Sequence, residues 1–441
     1  MRNKSLLSSI DASLIMFWAS LVILTFLFGL LAAANNWFPY PSFKKYVDEI
    51  KILYKEVGTL TLTSPDYQLV ASKYEGEGVV KNMNNLISPG LTLFTSFYDD
   101  SLEIRLIEQD GKVVNRWPVS YSAIWGDSDN IPPHERPRTD WDAIFNGVHL
   151  EPDGSIVFPL GGLVKIDRCA QVMWKIPRKF HHSIEKSPRG SYWVPAREYI
   201  SEYSKHMPIR TPYELDTAVE VSSDGKILRE IPILDLLWSN DMLATLFANN
   251  RNFDPNPVHD VIHLNDIEEI PTELLPAFPM FAEGDLLASL RQSNLLIVFS
   301  PETLEIKWFH TGPWIQQHDG DWQADGTITV FDNRFDGTNT GIYFGGSNII
   351  AIDPQTNDIK YLYGANVDEF FYSGAVGDHQ VLPNGNILIT ESMAGRVIEV
   401  TPKGKIVWEY INRYSDEKTV KISDAIRYPS EYLDVADWEC E

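Results

Sequence analysis

The chain is short of positive charge. Against 61 acidic residues it carries 37 Lys and Arg, for a formal net charge of −24. Nothing in it resembles a basic stripe, so nucleic acid is excluded as a partner: phosphate binding rests on clustered Lys and Arg. An anionic substrate would have to be held by local positive groups against the overall field. Cysteine is scarce as well. Cys169 and Cys440 are the only two, too few for a disulfide scaffold and without zinc-ligand spacing. They are either two buried thiols or one pair, and a Cys169–Cys440 disulfide would tie the C-terminal tail back to an early strand in an oxidising compartment. A GxSxG motif is absent, which removes a hydroxyl nucleophile of hydrolase type. So is a glycine-rich phosphate loop, and no cofactor is expected. No metal site is expected either. His259 and His263 have an HxxxH spacing, but Pro255 and Pro257 oppose a helix there and no glutamate adjoins them. Asp319, Asp321 and Asp325 lack the spacing of a calcium loop of the EF-hand kind.

What the chain does have begins with one apolar run. Residues 1–13 hold Arg2 and Lys4 and read as a short cytoplasmic N-terminus. Leu14–Ala34 carries no charge and is long enough, as a helix, for a bilayer core of roughly 30 Å. It exceeds the usual signal-peptide core, although Ala32 and Ala34 offer a small-residue cleavage pattern. The expectation is a single-pass anchor with everything after it extracytoplasmic, periplasmic or extracellular. The Asn3-Lys4-Ser5 glycosylation triplet falls on the cytoplasmic side. Residues 35–87 read as a membrane-proximal helix, over Pro41–Leu60, followed by a connecting arm.

From Leu91 a unit recurs: a strand, a polar turn, and a strand ending in an aromatic or apolar residue. The copies are LIEQDGKVVNRW (106–117), VKIDRCAQVMW (164–174), VEVSSDGKILREI (219–231), IVFSPETLEIKW (297–308), IAIDPQTNDIKY (350–361) and VIEVTPKGKIVW (397–408). Their starts lie about 45–80 residues apart, near the length of a four-stranded propeller blade. A second hairpin with its own turn glycine falls between copies, at Gly154, Gly190, Gly284, Gly326 or Gly385. The fold class is therefore all-β, a six-bladed β-propeller over residues 88–412 with an N-terminal transmembrane helix. The 13 Trp suit recurring core positions in such sheets. LLWSNDMLATLF, within Pro232–Asn249, breaks the pattern with helical spacing. Residues 413–441 read as a C-terminal strap.

The histidines follow the repeat. His149, His182, His318 and His379 each precede a hairpin glycine, and His263 stands in HLND ahead of the fourth copy. Equivalent positions on successive blades face the same channel, so these side chains are expected to converge. His134, His206 and His310 are read as ordinary structural residues. QQHDGDWQADGTITVFDNR (316–334) places His318 at the start of a hairpin and Arg334 at its far end. A neutral imidazole near a guanidinium suits an oxyanion.

At these residues the chain resembles the bacterial aryl sulfotransferase family, the type that needs no nucleotide sulfate donor. The likeness runs over about Ser88–Tyr410. It is carried by LTLFTSFYDDSLEIRLIEQDGKVVNRW, HHSIEKSPRGSYWVPA, HLNDIEEI, GDLLASLR, QQHDGDWQADGTITVFDNR and GDHQVLPNGNILITES, in that order. The resemblance implies a six-bladed extracytoplasmic propeller that moves a sulfuryl group from an aryl sulfate donor to a phenolic acceptor through a sulfated histidine. Carried over by motif, His318 and Arg334 match the family's QH…FDN…R piece and His263 its HxN histidine. His379 is the candidate nucleophile. His182, Asn265 and Asn333 are candidate substrate-binding residues. Two departures stand out. Arg334 follows FDN directly, and Asp319 occupies a position where the family has a small or hydroxyl residue. A carboxylate there would repel sulfate. The alternatives are a non-catalytic propeller that binds a ligand or protein partner through its channel face, and a histidine-bound metal.

Overall fold

The computed structural model describes residues 12–35, 57–126, 136–202, 211–247 and 260–440, with isolated positions (37–40, 43, 46, 47, 50 and 209) between them. His134, His206, His259 and the Asn3 triplet lie outside the described residues, as do parts of the Pro41–Leu60 segment. The chain divides into two compact units, Met1–Asp66 and Tyr67–Glu441.

The first unit contains a helix over Ala12–Ala34 (23 residues). At 1.5 Å per residue it is about 35 Å long. Its Leu, Phe and Ala residues are good helix formers or apolar fillers, and no charge interrupts them. Leu14, Phe17, Leu24 and Phe28 are all exposed along it. A helix apolar on every face has the composition of a membrane span or a signal sequence.

The regular structure of the second unit is mostly antiparallel sheet. Sheet 1 orders Ile422–Tyr428, Leu91–Tyr98, Ser101–Ile107 and Val113–Val119. Sheet 2 orders His149–Leu150, Ile156–Pro159, Leu163–Ile166 and Val172–Ile176. Sheet 3 runs from Glu185–Lys186 through Tyr192–Ile200 and Tyr213–Val221 to Ile227–Pro232. Sheet 4 comprises Leu264–Glu269, Leu286–Leu290, Leu295–Phe299 and Ile306–Thr311. Sheet 5 comprises His318–Trp322, Ile328–Asp332, Asn348–Ile352 and Ile359–Tyr363. Sheet 6 has five strands, Asp378–Val381, Ile387–Glu391, Arg396–Val400, Ile406–Ile411 and Gly78–Asn82. The first-named strand of each is called its leading strand. A small seventh sheet joins Leu69–Ala71, Lys418–Val420 and Arg413–Ser415.

The middle strands are buried on both faces, as in Leu286–Leu290 and Leu295–Phe299. They read as continuous apolar runs because each sheet is covered on both sides. Leu93 and Ile104 of sheet 1 share a core with Phe158 and Val164 of sheet 2, and Val157 of sheet 2 packs with Val194 and Val219 of sheet 3. Like cores link sheets 3 and 4, 4 and 5, 5 and 6, and 6 and 1. The recurring terminal Trp has a local cause. Trp174, Trp308 and Trp408 each donate an indole N–H to the hairpin turn of the following sheet, at Ser223 O (3.0 Å), Asn357 Oδ1 (3.2 Å) and Gln109 O (2.8 Å). The ring covers the turn and its one polar atom is satisfied there. The Asp325-Gly326 turn needs its glycine twice over. Its φ is +84°, and a Cβ would lie 2.9 Å from the Ala277 carbonyl oxygen.

Two stretches differ from their sequence reading. Residues 413–441 contain three strands rather than only a strap, and Ile422–Tyr428 is the leading strand of sheet 1. The arm contributes Gly78–Asn82 to the far edge of sheet 6. The tail concealed its strand because it carries charge inside it. Buried Arg427 meets buried Glu399 at 3.2 Å, so the two charges offset one another. Beyond it, Trp438 packs edge-on against Trp117 at 5.6 Å, and Cys440 is bonded to Cys169 with Cα atoms 5.6 Å apart.

Candidate active site

The leading strands place the chemistry. His318 opens that of sheet 5, His263 stands directly before that of sheet 4, and His182 lies three residues before that of sheet 3. His182 and His263 have left-handed backbones, with φ of +59° and +57°. Gln316, Asp319 and Arg334 share the feature at +54°, +56° and +48°. Such conformations cost of order 1 kcal/mol or more per non-glycine residue and gather at functional sites. At Asp319 the positive φ accompanies a bulge: pairing skips from His318↔Phe331 to Gly320↔Val330. A bulge re-aims side chains out of strict alternation.

Three predicted histidines come together. Nε2 of His182 and Nε2 of His263 are 3.1 Å apart. The His318 ring centroid lies 5.8 Å from that of His182 and 6.4 Å from that of His263. Each ring is held from behind at Nδ1. His318 Nδ1 meets Asn333 Oδ1 at 2.7 Å. His182 Nδ1 meets His181 Nδ1 at 2.6 Å, and His263 Nδ1 meets Asp260. The Asn333 amide is fixed, since its Nδ2 donates to the carbonyls of Ser373 (2.8 Å) and Val376 (2.6 Å). Its Oδ1 can only accept, so His318 carries its proton on Nδ1 and a lone pair on Nε2.

Arg197 supports the outer layer. It lies 3.0 Å from Asp216 and 3.7 Å from Asp260, and Asp216 in turn is 3.3 Å from His181 Nε2. Burial pulls the His318 pKa down to about 3, helped by the Arg291 guanidinium. Burial and then Arg291 hold His263 well below its ordinary value, and burial and then His263 do the same for His182. All three are neutral imidazoles near pH 7.

The other candidates are placed differently. His379 belongs to a second group. Its backbone N–H and its Nδ1 both meet Asp319 Oδ2, and its Nε2 lies 3.7 Å from Asp321. Arg334 is directed to Asp332 at 4.0 Å, with its side chain 30% exposed. Asn265 donates to Gln317 O at 2.6 Å and leaves a buried Oδ1 without a partner among the described residues. Asn333 orients His318 as described. Both groups, His182–His263–His318 and Asp319–Asp321–His379, have the spacing a metal ion needs.

Sequence reasoning missed Arg291, Arg197, Asp260 and His181. Arg291 ends the GDLLASLR piece, and its backbone N–H donates to His263 O at 3.1 Å. Its guanidinium is held 2.9 Å from Gln316 Oε1. It therefore stands where a guanidinium was expected from Arg334. The signal was its place at the end of a strand following His263, in the sheet beside His318.

The profile of the arylsulfotransferase (ASST) family matches residues 139–413. The chain belongs to this family. The matched residues include all three clustered histidines, Asn333, Arg291 and His379. No curated protein matches the sequence. Among solved structures, a protein of unknown function from Bacteroides caccae is similar at 15% identity, covering 77% of this chain and 98% of that one, with a TM-score of 0.46. Catalytically inactive virginiamycin B lyase from Staphylococcus aureus is similar at 13% identity, covering 66% and 85%, with a TM-score of 0.37. Kuenenia stuttgartiensis hydrazine synthase aligns at 12% identity over 75% and 81%, with a TM-score of 0.39.

Proposed function

We propose that the six sheets close into a six-bladed β-propeller and that the protein transfers a sulfuryl group from an aryl sulfate to a phenol through a sulfated histidine. The six cores shared between successive sheets support closure, including the one between sheets 6 and 1. Family membership supports the reaction class. The single observation that carries the mechanism is the fixed tautomer of His318, which leaves the lone pair on Nε2 of a ring packed beside those of His182 and His263.

In this reading His318 Nε2 attacks sulfur, an N–S bond forms, and the S–O bond to the aryl group breaks. Binding of the anionic ester draws one proton from solvent onto the His182–His263 pair, whose Nε2 atoms are 3.1 Å apart, and the departing phenolate takes that proton. Arg291 holds the oxygens of the transferring group. A phenol then returns its proton to that pair and attacks sulfur, releasing the histidine. We assign the attack to His318 rather than His379, because both nitrogens of His379 face carboxylates. The apolar helix is proposed as an anchor, with the propeller on the extracytoplasmic side. The Cys169–Cys440 disulfide supports an oxidising compartment.

The test uses para-nitrophenyl sulfate labelled with radiosulfur. Wild type releases para-nitrophenol only when a phenol acceptor is present and traps label on the protein when it is withheld. His318→Asn is expected to lose both. Trapped label in His318→Asn at the wild-type level overturns the assignment.

A second reading is favoured by the same three rings. Nδ1–H contacts behind and convergent Nε2 atoms in front also describe a three-histidine metal centre. Metal analysis of protein purified without chelators separates the two. One tightly held equivalent of zinc, lost in His263→Asn, would favour metal-assisted cleavage over a sulfated histidine.

A further inference from the structure

Behind the three rings lies a second convergence that the transfer chemistry does not use. Five sheets direct carboxylates to one place: Glu185 from sheet 3, Asp266 from sheet 4, Asp319 and Asp321 from sheet 5, Asp378 from sheet 6 and Asp424 from sheet 1. Some have donors. Asp266 accepts from the Gly320 N–H at 3.0 Å and Asp424 from the Val148 N–H at 3.0 Å. Burial first, and then Asp319 and Asp266, push the Asp321 carboxyl well above its ordinary value, with the His379 imidazole acting the other way. Carboxylates brought together in a buried place repel one another unless protons or a cation intervene.

His379 supplies an independent observation. Its side chain is fully buried. Nδ1 is engaged by Asp319, yet Nε2 has no hydrogen-bond partner among the described residues. A carboxylate oxygen of Asp321 stands 3.7 Å from that nitrogen. This is too long for a hydrogen bond. It is the span of two ligands on one ion at about 2.1–2.4 Å from each. Asp319 Oδ2 is taken up by both donors of His379, which leaves its other oxygen for the same ion.

We propose that Asp319, Asp321 and His379 bind a divalent cation of the manganese or magnesium class, with water completing its shell. Two carboxylates and one imidazole suit such a hard ion better than the soft-ligand metals. The ion would offset Asp319, which directly follows His318, and would thereby allow a sulfate ester to approach that ring. The binding itself does not depend on the transferase reading.

The experiment takes the full chain in detergent, stripped with EDTA, and titrates Mn²⁺ while the free-ion electron paramagnetic resonance signal and Tm are followed. One saturable equivalent is expected, with a rise in Tm and displacement by Mg²⁺ or Ca²⁺. Asp321→Asn and His379→Gln are each expected to weaken binding about tenfold or more. His263→Asn should bind as wild type does. Absence of saturable binding to wild type overturns the proposal. So does binding that survives both substitutions or disappears in His263→Asn. If Asp321→Asn does not fold, His379→Gln decides. Transferase activity is not read in these arms, so its failure and the failure of cation binding are separable.

Discussion

The histidine group and the carboxylate group are built from the same parts with opposite polarity. In both, an imidazole stands at or just before the start of a leading strand and a carboxylate meets an Nδ1, Asp260 at His263 and Asp319 at His379. Around His182, His263 and His318, the carboxylates of Asp260 and Asp216 lie behind the rings and are joined by Arg197. Around His379, the carboxylates lie in front. The difference is the reach of a guanidinium. On the proposed reading, Arg291 suits the first group to an anion, and the carboxylates of the second suit it to a cation.

The largest expected effect on this contrast is His318→Asn, which should lower turnover by three orders of magnitude or more (roughly 10³–10⁶). Measured release of para-nitrophenol checks it. Next is Arg291→Ala, expected to lower kcat/KM by about 10²–10³ as one oxyanion donor is lost. Arg334→Ala should cost less than about tenfold, because Arg334 is directed to Asp332. Equal losses in the two arginine variants would dissolve the distinction drawn between them. Asn333→Ala should lower kcat by about 10–100-fold at little change in KM, since it frees the His318 tautomer rather than removing a substrate contact.

Asp332 is a carboxylate between the two cases, with one guanidinium at 4.0 Å. Burial pushes its pKa up to about 7. The folded protein therefore holds a proton that the unfolded chain releases near pH 4. Stability from this residue is full below about pH 4, declines as pH rises to about 7, and is flat above. Asp332→Asn should flatten that decline in urea melts at stepped pH, and an unchanged slope would count against it.

Much of the fold was legible because its repeat is a physical one. Where the unit ends in Trp174, Trp308 or Trp408, the indole covers the next sheet's turn, so these three recur at matching places. The clustering of His182, His263 and His318 followed from their places before the leading strands. What escaped was set by contacts across sheets. Nothing within residues 378–381 indicates that a bulge in sheet 5 sends Asp319 to His379. Arg291 looked like the end of an apolar strand until His263 was seen beside it. Ile422–Tyr428 looked like tail because Asp424 and Arg427 interrupt its apolar pattern, and each has its partner in another segment.

That last strand has a consequence for synthesis. Leu91–Tyr98 forms its leading-edge ladder with residues that leave the ribosome more than 300 positions later. Until then the earliest strands present an unmatched hydrogen-bonding margin, open to neighbours or chaperones. A nascent chain halted before Ile422 would carry every histidine named here and still lack the piece that seals its first sheet.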